Sequence, residues 1–149
     1  MEDRVTDLHF ADLRISDALP PLEVQITQDV IDRAALGHLD LNPVHTNLEW
    51  SERAQVFNTP KTVAHGMFTQ GLMASLIQRH WGRAGAAIQK METKFTKPVP
   101  EGQTLRCAGR IIELHPLGPA RNAVVVALTV HDDVDDVVAV GTFRVSIPD

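Results

Sequence analysis

Two hydrophobic periods divide the chain. In VAHGMFTQGLMASLIQRHWG, Val63 to Gly82, Met67, Phe68, Gly71, Leu72, Leu76 and Ile77 recur at helical spacing. Met73 and Ala74 widen that surface and leave only Thr69, Gln70 and Gln78 as a narrow polar face. A helix apolar around most of its circumference belongs in an interior. Gly71 would cost about 1 kcal/mol against alanine in a helix interior, so its presence predicts close packing against a sheet. Further on, the period shortens. AAIQKMETKFTKPV, QTLRCAGRIIEL, NAVVVALTVHD and DVVAVGTFRVSI are strand-like runs rich in Val, Ile, Thr and Phe. PVPEG, HPLGPAR and DDVDD separate them, and such short connections favour antiparallel neighbours.

The first sixty residues are less regular. Residues 1–16 are mixed and are expected to be an extended N-terminal segment of a single domain over 1–149. Leu19 to Thr27 alternate as a strand. Thr27 can cap a short helix through QDVIDRAALG, with Asp29 in its first turn and Gly37 as its stop. A loop follows, then a short helix in NLEWSERAQVF, broken by NTPKT. The order is strand, short helix, loop, buried helix and four strands. This predicts an α+β fold in which an antiparallel sheet of about five strands wraps around one long helix. That is the hotdog architecture, with a plain α+β sandwich as the alternative.

Composition narrows the function. The 149 residues are 44% apolar and 22% charged, in the ordinary globular range. The formal charge is −5 with no basic block, which argues against a nucleic-acid surface. No apolar run approaches the roughly 18 residues of a membrane helix, and the charged N-terminus lacks the apolar stretch of a signal peptide. A cytoplasmic location is the expectation. Cys107 is the one cysteine, in a strand-like run, and reads as a buried structural thiol.

The chemistry concentrates in GHLDLNPVHTN, Gly37 to Asn47. Asp40 and His45 carry the two groups most used for proton transfer near neutral pH. Pro43 fixes its own φ and holds Asn42 extended, stiffening the loop between them. Asn42 could orient either group or hold a water. On composition alone an ordinary turn accounts for these residues equally well. A second piece is AHGM, Ala64 to Met67, where the buried helix begins. The first N–H groups of a helix lack intrahelical partners, and the dipole there favours negative charge. The Gly66 N–H is a candidate oxyanion donor; the other reading is that Gly66 relieves crowding at the helix entry. His65 reads as a capping or packing residue before a catalytic one.

Together these segments resemble the MaoC-like (R)-specific enoyl-CoA hydratases, the hydratase 2 family. The resemblance rests on DLNPVH, on HGM beginning twenty residues after His45, and on Phe95-Thr96-Lys97-Pro98-Val99, the family's Phe-x-x-Pro-Val segment. It runs from about Thr27 to the C-terminus. It implies a catalytic pair in Asp40 and His45, a supporting Asn42, and a Gly66 N–H that binds the thioester oxygen. Two departures stand out. Leu39 occupies the place of a usual glycine, and the serine often found in the central helix is matched nearest by Ala74, with Ser75 beside it.

The reaction implied is hydration of trans-2-enoyl thioesters to (R)-3-hydroxyacyl thioesters, or the reverse dehydration. Its substrate would be an acyl-CoA or acyl-carrier-protein thioester. No metal or redox cofactor is expected, since His9, His38, His80, His115 and His131 show no paired ligand spacing. Arg79, Arg83, Lys94 and Lys97 are candidate phosphate partners, each read first as a surface charge. Trp50 and Trp81 read first as packing. The family implies a homodimer, or a higher or heteromeric assembly, while charge and hydropathy argue against a membrane or nucleic-acid partner. The alternatives are a hotdog acyl-thioesterase and a subunit of a heteromeric dehydratase.

Overall fold

A computed structural model describes residues 8–149, so the first seven residues of the expected N-terminal segment lie outside the described part. A 3-10 turn at Phe10–Asp12 precedes the first strand. The elements then follow as β1 (Ala18–Gln25), α1 (Gln28–His38), α2 (Pro43–Thr46), α3 (Leu48–Ala54), α4 (Gly66–Trp81), β2 (Ala87–Phe95), β3 (Thr104–His115), β4 (Ala123–His131) and β5 (Val137–Ser146). The expected strands and the buried helix all form.

The sheet is antiparallel throughout, in the order β1-β3-β4-β5-β2. The connections after β3 and β4 are hairpin-like, as expected. The connection after β2 is not: β2 pairs with β5, and residues 96–103 carry the chain to β3. The short PVPEG turn therefore does not make sequence neighbours into spatial neighbours. The eight residues between Phe95 and Thr104 can reach roughly 25 Å when extended, enough to cross the mouth of a curved sheet. β1 forms the opposite edge. Its register shifts between Leu19 and Leu22, at Pro20-Pro21, where a missing N–H is tolerated because the strand lies at an edge.

α4 lies in the concavity and touches every strand. Its Leu72, Met73, Leu76, Ile77 and Trp81 join Leu105, Ile111, Val126, Leu128 and Phe143 in one core. This is the hotdog arrangement. Trp81 is core, and Cys107 is fully buried in β3, where burial pushes its thiol up to about 12. Among the described residues no helix is long and apolar enough to cross a membrane.

The glycine logic differs from expectation. A Cβ on Gly71 would meet nothing within 4 Å, so this glycine does not mediate helix–sheet contact. The close approach is at Gly141 of β5, where a Cβ would stand 2.7 Å from the sulfur of Met73 and 3.1 Å from the Phe143 ring. Thr69 also departs from its expected place on a polar face: it is only 3% exposed.

Candidate active site

The polar loop is built from two helix ends. Thr27 caps α1 by accepting the Val30 N–H at 3.2 Å, as expected. The helix passes Gly37 and ends at His38, and Leu39 turns the chain with φ 55° and ψ 35°. The Asp40 N–H then closes onto the Ala35 carbonyl at 3.0 Å. A left-handed residue is the usual finish for a helix, and glycine is favoured there because a Cβ costs about 1–2 kcal/mol. That is the physical reason a glycine belongs at position 39. Leu39 carries the strain with its side chain 90% exposed.

His45 does not sit in an extended loop. Asn42 accepts the Val44 N–H at 3.1 Å and Pro43 occupies the first helical position, so the next residues close into the single turn α2. This turn swings His45 inward. Its Nδ1–H donates to the Val63 carbonyl at 2.6 Å, and its Nε2 stands 3.7 Å from Asp40 Oδ2. Asp40 is half-exposed, and its Oδ1 accepts the Asn42 N–H at 3.2 Å. Asn42 thus serves the pair through its backbone while its side chain caps α2.

Val63 joins this loop to α4. Its N–H donates to the Val44 carbonyl at 3.1 Å, and the Ala64 N–H donates to Val99 at 2.8 Å. The chain therefore enters α4 extended, and no side chain caps the helix. The Gly66 N–H has no hydrogen-bond partner among the described residues. The Phe95 ring lies 3.2 Å from where a Gly66 Cβ would be. His45, Gly66, Thr69, Phe57, Phe95 and Val138 share a mainly apolar cavity of about 400 Å³.

His65 stands at the N-cap position of α4, but its side chain is buried and makes no capping bond. Its Nε2–H donates to the Asp40 carbonyl at 3.0 Å, and its ring stacks on His45 with centroids 3.7 Å apart. One ligand atom each from Asp40, His45 and His65 falls within a 4.8 Å group. The His65 Nε2, however, carries the proton it donates to the Asp40 carbonyl and so offers no lone pair there, which leaves His45 Nε2 and the Asp40 carboxylate as the two available donors. The donor set does not match a closed metal site.

The candidate cations separate. Lys97 borders the cavity but bonds Asp132 at 2.7 Å and Asp136 at 2.8 Å. Burial opposes the charge of Asp132, but the Lys97 ammonium and the Asp136 and Val134 N–H groups outweigh it and hold its carboxyl below the ordinary value. Arg79 lines a second groove of about 370 Å³ with Leu22, His38, Phe68, Gly71 and Ser75. Ser75 is nine residues along α4 from Gly66, roughly 13 Å at 1.5 Å per residue. Ser75 lines this second groove and Ala74 packs on the core, and neither lines the cavity that His45 shares with Gly66.

Three supporting residues escaped the sequence reading. Gln28 donates to the His45 carbonyl at 2.9 Å and accepts from the buried Thr62 hydroxyl. Thr69 faces the shared cavity. Gln28 and Thr62 lie 34 residues apart, and nothing local marks them as partners. Thr69 sits one helical turn after Gly66, a spacing that could have flagged it.

Comparison with known proteins places this geometry. The chain is 26% identical to an (R)-specific enoyl-CoA hydratase of Rhodospirillum rubrum over 108 residues, 72% of each protein. It is 27% identical over 114 residues to the peroxisomal hydratase-dehydrogenase-epimerase of Saccharomyces cerevisiae, spanning 72% of this chain but 12% of the yeast protein. In three dimensions it superposes on the R-hydratase PhaJ1 from Pseudomonas aeruginosa, in its unliganded form, with a TM-score of 0.84 at 23% identity. That alignment covers 94% of this chain and 85% of the other. Residues 16–132 match the MaoC-like domain, and the chain belongs to the MaoC-like hydratase and dehydratase family.

Proposed function

We propose that this protein adds water across the double bond of trans-2-enoyl thioesters to give (R)-3-hydroxyacyl thioesters, and catalyses the reverse dehydration. The observation that carries this is that His45, whose Nε2 stands 3.7 Å from Asp40, lines one apolar cavity together with Gly66, whose N–H has no partner among the described residues. The thioester oxygen would accept the Gly66 N–H at the positive end of α4. That contact draws electron density from C3 and stabilises the enolate oxygen as water attacks.

With its Nδ1–H given to Val63, His45 presents the lone pair of Nε2. Asp40 and His45 together would hold the water between them. One takes its proton as the C3–O bond forms, and the pair returns a proton to C2. Hydroxyl and proton balance one water, so the reaction needs no other reactant. The apolar walls of Phe57, Phe95, Val99 and Val138 suit an acyl chain. Similarity to the Rhodospirillum rubrum hydratase supports the same reading.

The test is a hydration assay on enoyl-CoA thioesters of increasing chain length, with free thiol followed in parallel. Loss of the enoyl absorbance without thiol release supports hydration. Thiol release with the alkene intact would replace it with thioester hydrolysis.

A further inference from the structure

We propose that His65 is a positioning residue that locks the proton-transfer pair to the oxyanion helix; the proposal rests on the hydratase reading. The pair and the donor come from different parts of the chain. Asp40 and His45 follow α1, whereas Gly66 opens α4. His65 directly precedes Gly66, and its side chain reaches back to both members of the pair. Its Nε2–H holds the Asp40 carbonyl at 3.0 Å, and its ring plane lies 26° from that of His45 at 3.7 Å between centroids. A shift of α4 relative to the loop would break both contacts at once.

Packing alone does not explain the residue. His65 is 3% exposed, yet its Nδ1 is buried without a hydrogen-bond partner. Phenylalanine would fill the same space without that cost. Nor is the imidazole needed to start the helix, because it makes no capping bond. What histidine adds over an apolar ring is the Nε2–H, directed at the backbone of the residue whose carboxylate is to act. Proton transfer tolerates little misplacement: about 1 Å can cost roughly 100-fold.

Three variants separate the two contacts. His65→Phe keeps a stacked ring and removes the donor. His65→Gln keeps an amide N–H and removes the ring. His65→Leu removes both. For hydration of crotonyl-CoA, the first two are expected to lower kcat about 10-fold and the third about 100-fold. KM should stay within about twofold in all three, because the substrate's own contacts are untouched. Folded His65→Leu with kcat within about twofold of wild type would overturn the proposal. If that variant does not fold, the same result in both other variants overturns it.

An arm independent of activity uses proton NMR of the His45 ring. Its C–H resonances should lose their ring-current shift in His65→Gln and keep it in His65→Phe; unchanged shifts in His65→Gln overturn the stacking role. Should the wild type not hydrate enoyl thioesters, that failure belongs to the functional reading, and the NMR result alone decides whether His65 holds His45.

Discussion

The Nδ1–H of His45 donates to the main-chain carbonyl of Val63, 2.6 Å away and eighteen residues along the chain. This one bond sets the tautomer, aims Nε2 toward Asp40, and fastens the loop to the residue three before Gly66. If Asp40 and His45 act as one unit, removing either should cost most of what removing both costs. His45→Ala and Asp40→Asn are each expected to lower kcat for enoyl-CoA hydration by about 10²–10⁴-fold. The double variant should lose little more than the worse single one. Steady-state kinetics on folded proteins checks this, and fully multiplicative losses would show two independent residues.

Gly66 offers a way to remove an N–H without breaking a helix. It is the first residue of α4, the position where proline is best tolerated, and His65 already has the extended backbone that proline demands of its predecessor. Gly66→Ala and Gly66→Pro both place a Cβ near the Phe95 ring, but only proline deletes the donor. The proline variant should fall about 10²–10³-fold below the alanine variant in kcat. Equal activities would mean that the thioester oxygen is bound elsewhere.

Leu39 holds a left-handed conformation with its side chain in solvent. Leu39→Gly relieves about 1–2 kcal/mol of backbone strain and gives back about 0.4–1 kcal/mol through a more flexible unfolded chain. The net gain should be near 0.5–1 kcal/mol, or a rise in Tm of roughly 1–4 °C. Thermal unfolding followed by circular dichroism measures it. A fall in Tm would show that the leucine makes contacts worth more than its strain.

Two glycines should respond in opposite directions to the same change. Gly71→Ala adds a methyl to open space in a helix interior and should stabilise by up to about 1 kcal/mol. Gly141→Ala pushes a methyl against buried Met73 and Phe143 and should destabilise by about 1–3 kcal/mol. Denaturant titration reads both. The same sign for the two would contradict the assigned contact between α4 and the sheet.

Much of this molecule was legible in its residues. The strands from β2 to β5 and the central helix follow from period and β-propensity, because burial on one face imposes that period wherever the element lies. The Thr27 cap, the turn at Pro43 and the helix start at Gly66 were legible too, since caps, turn formers and helix starts act within a few residues of themselves. The family resemblance marked Leu39 as a departure, and the structure supplies the reason for a glycine there in its φ of 55°.

Other features depend on approach in space. That β2 pairs with β5 rather than β3 is settled by the sheet closing around α4. Whether a glycine is crowded depends on what faces it, so Gly71 proved open and Gly141 tight. Thr69 turned from a polar surface to the cavity because the sheet edge and the residues after β2 cover that side. Likewise Gln28, Thr62 and Val63 carry no local mark. Sequence alone determined which groups could act and which elements would form, through interactions spanning a few residues. Tertiary structure alone decided which groups meet, because hydrogen bonds such as His45 to Val63 and His65 to Asp40 exist only once distant segments pack.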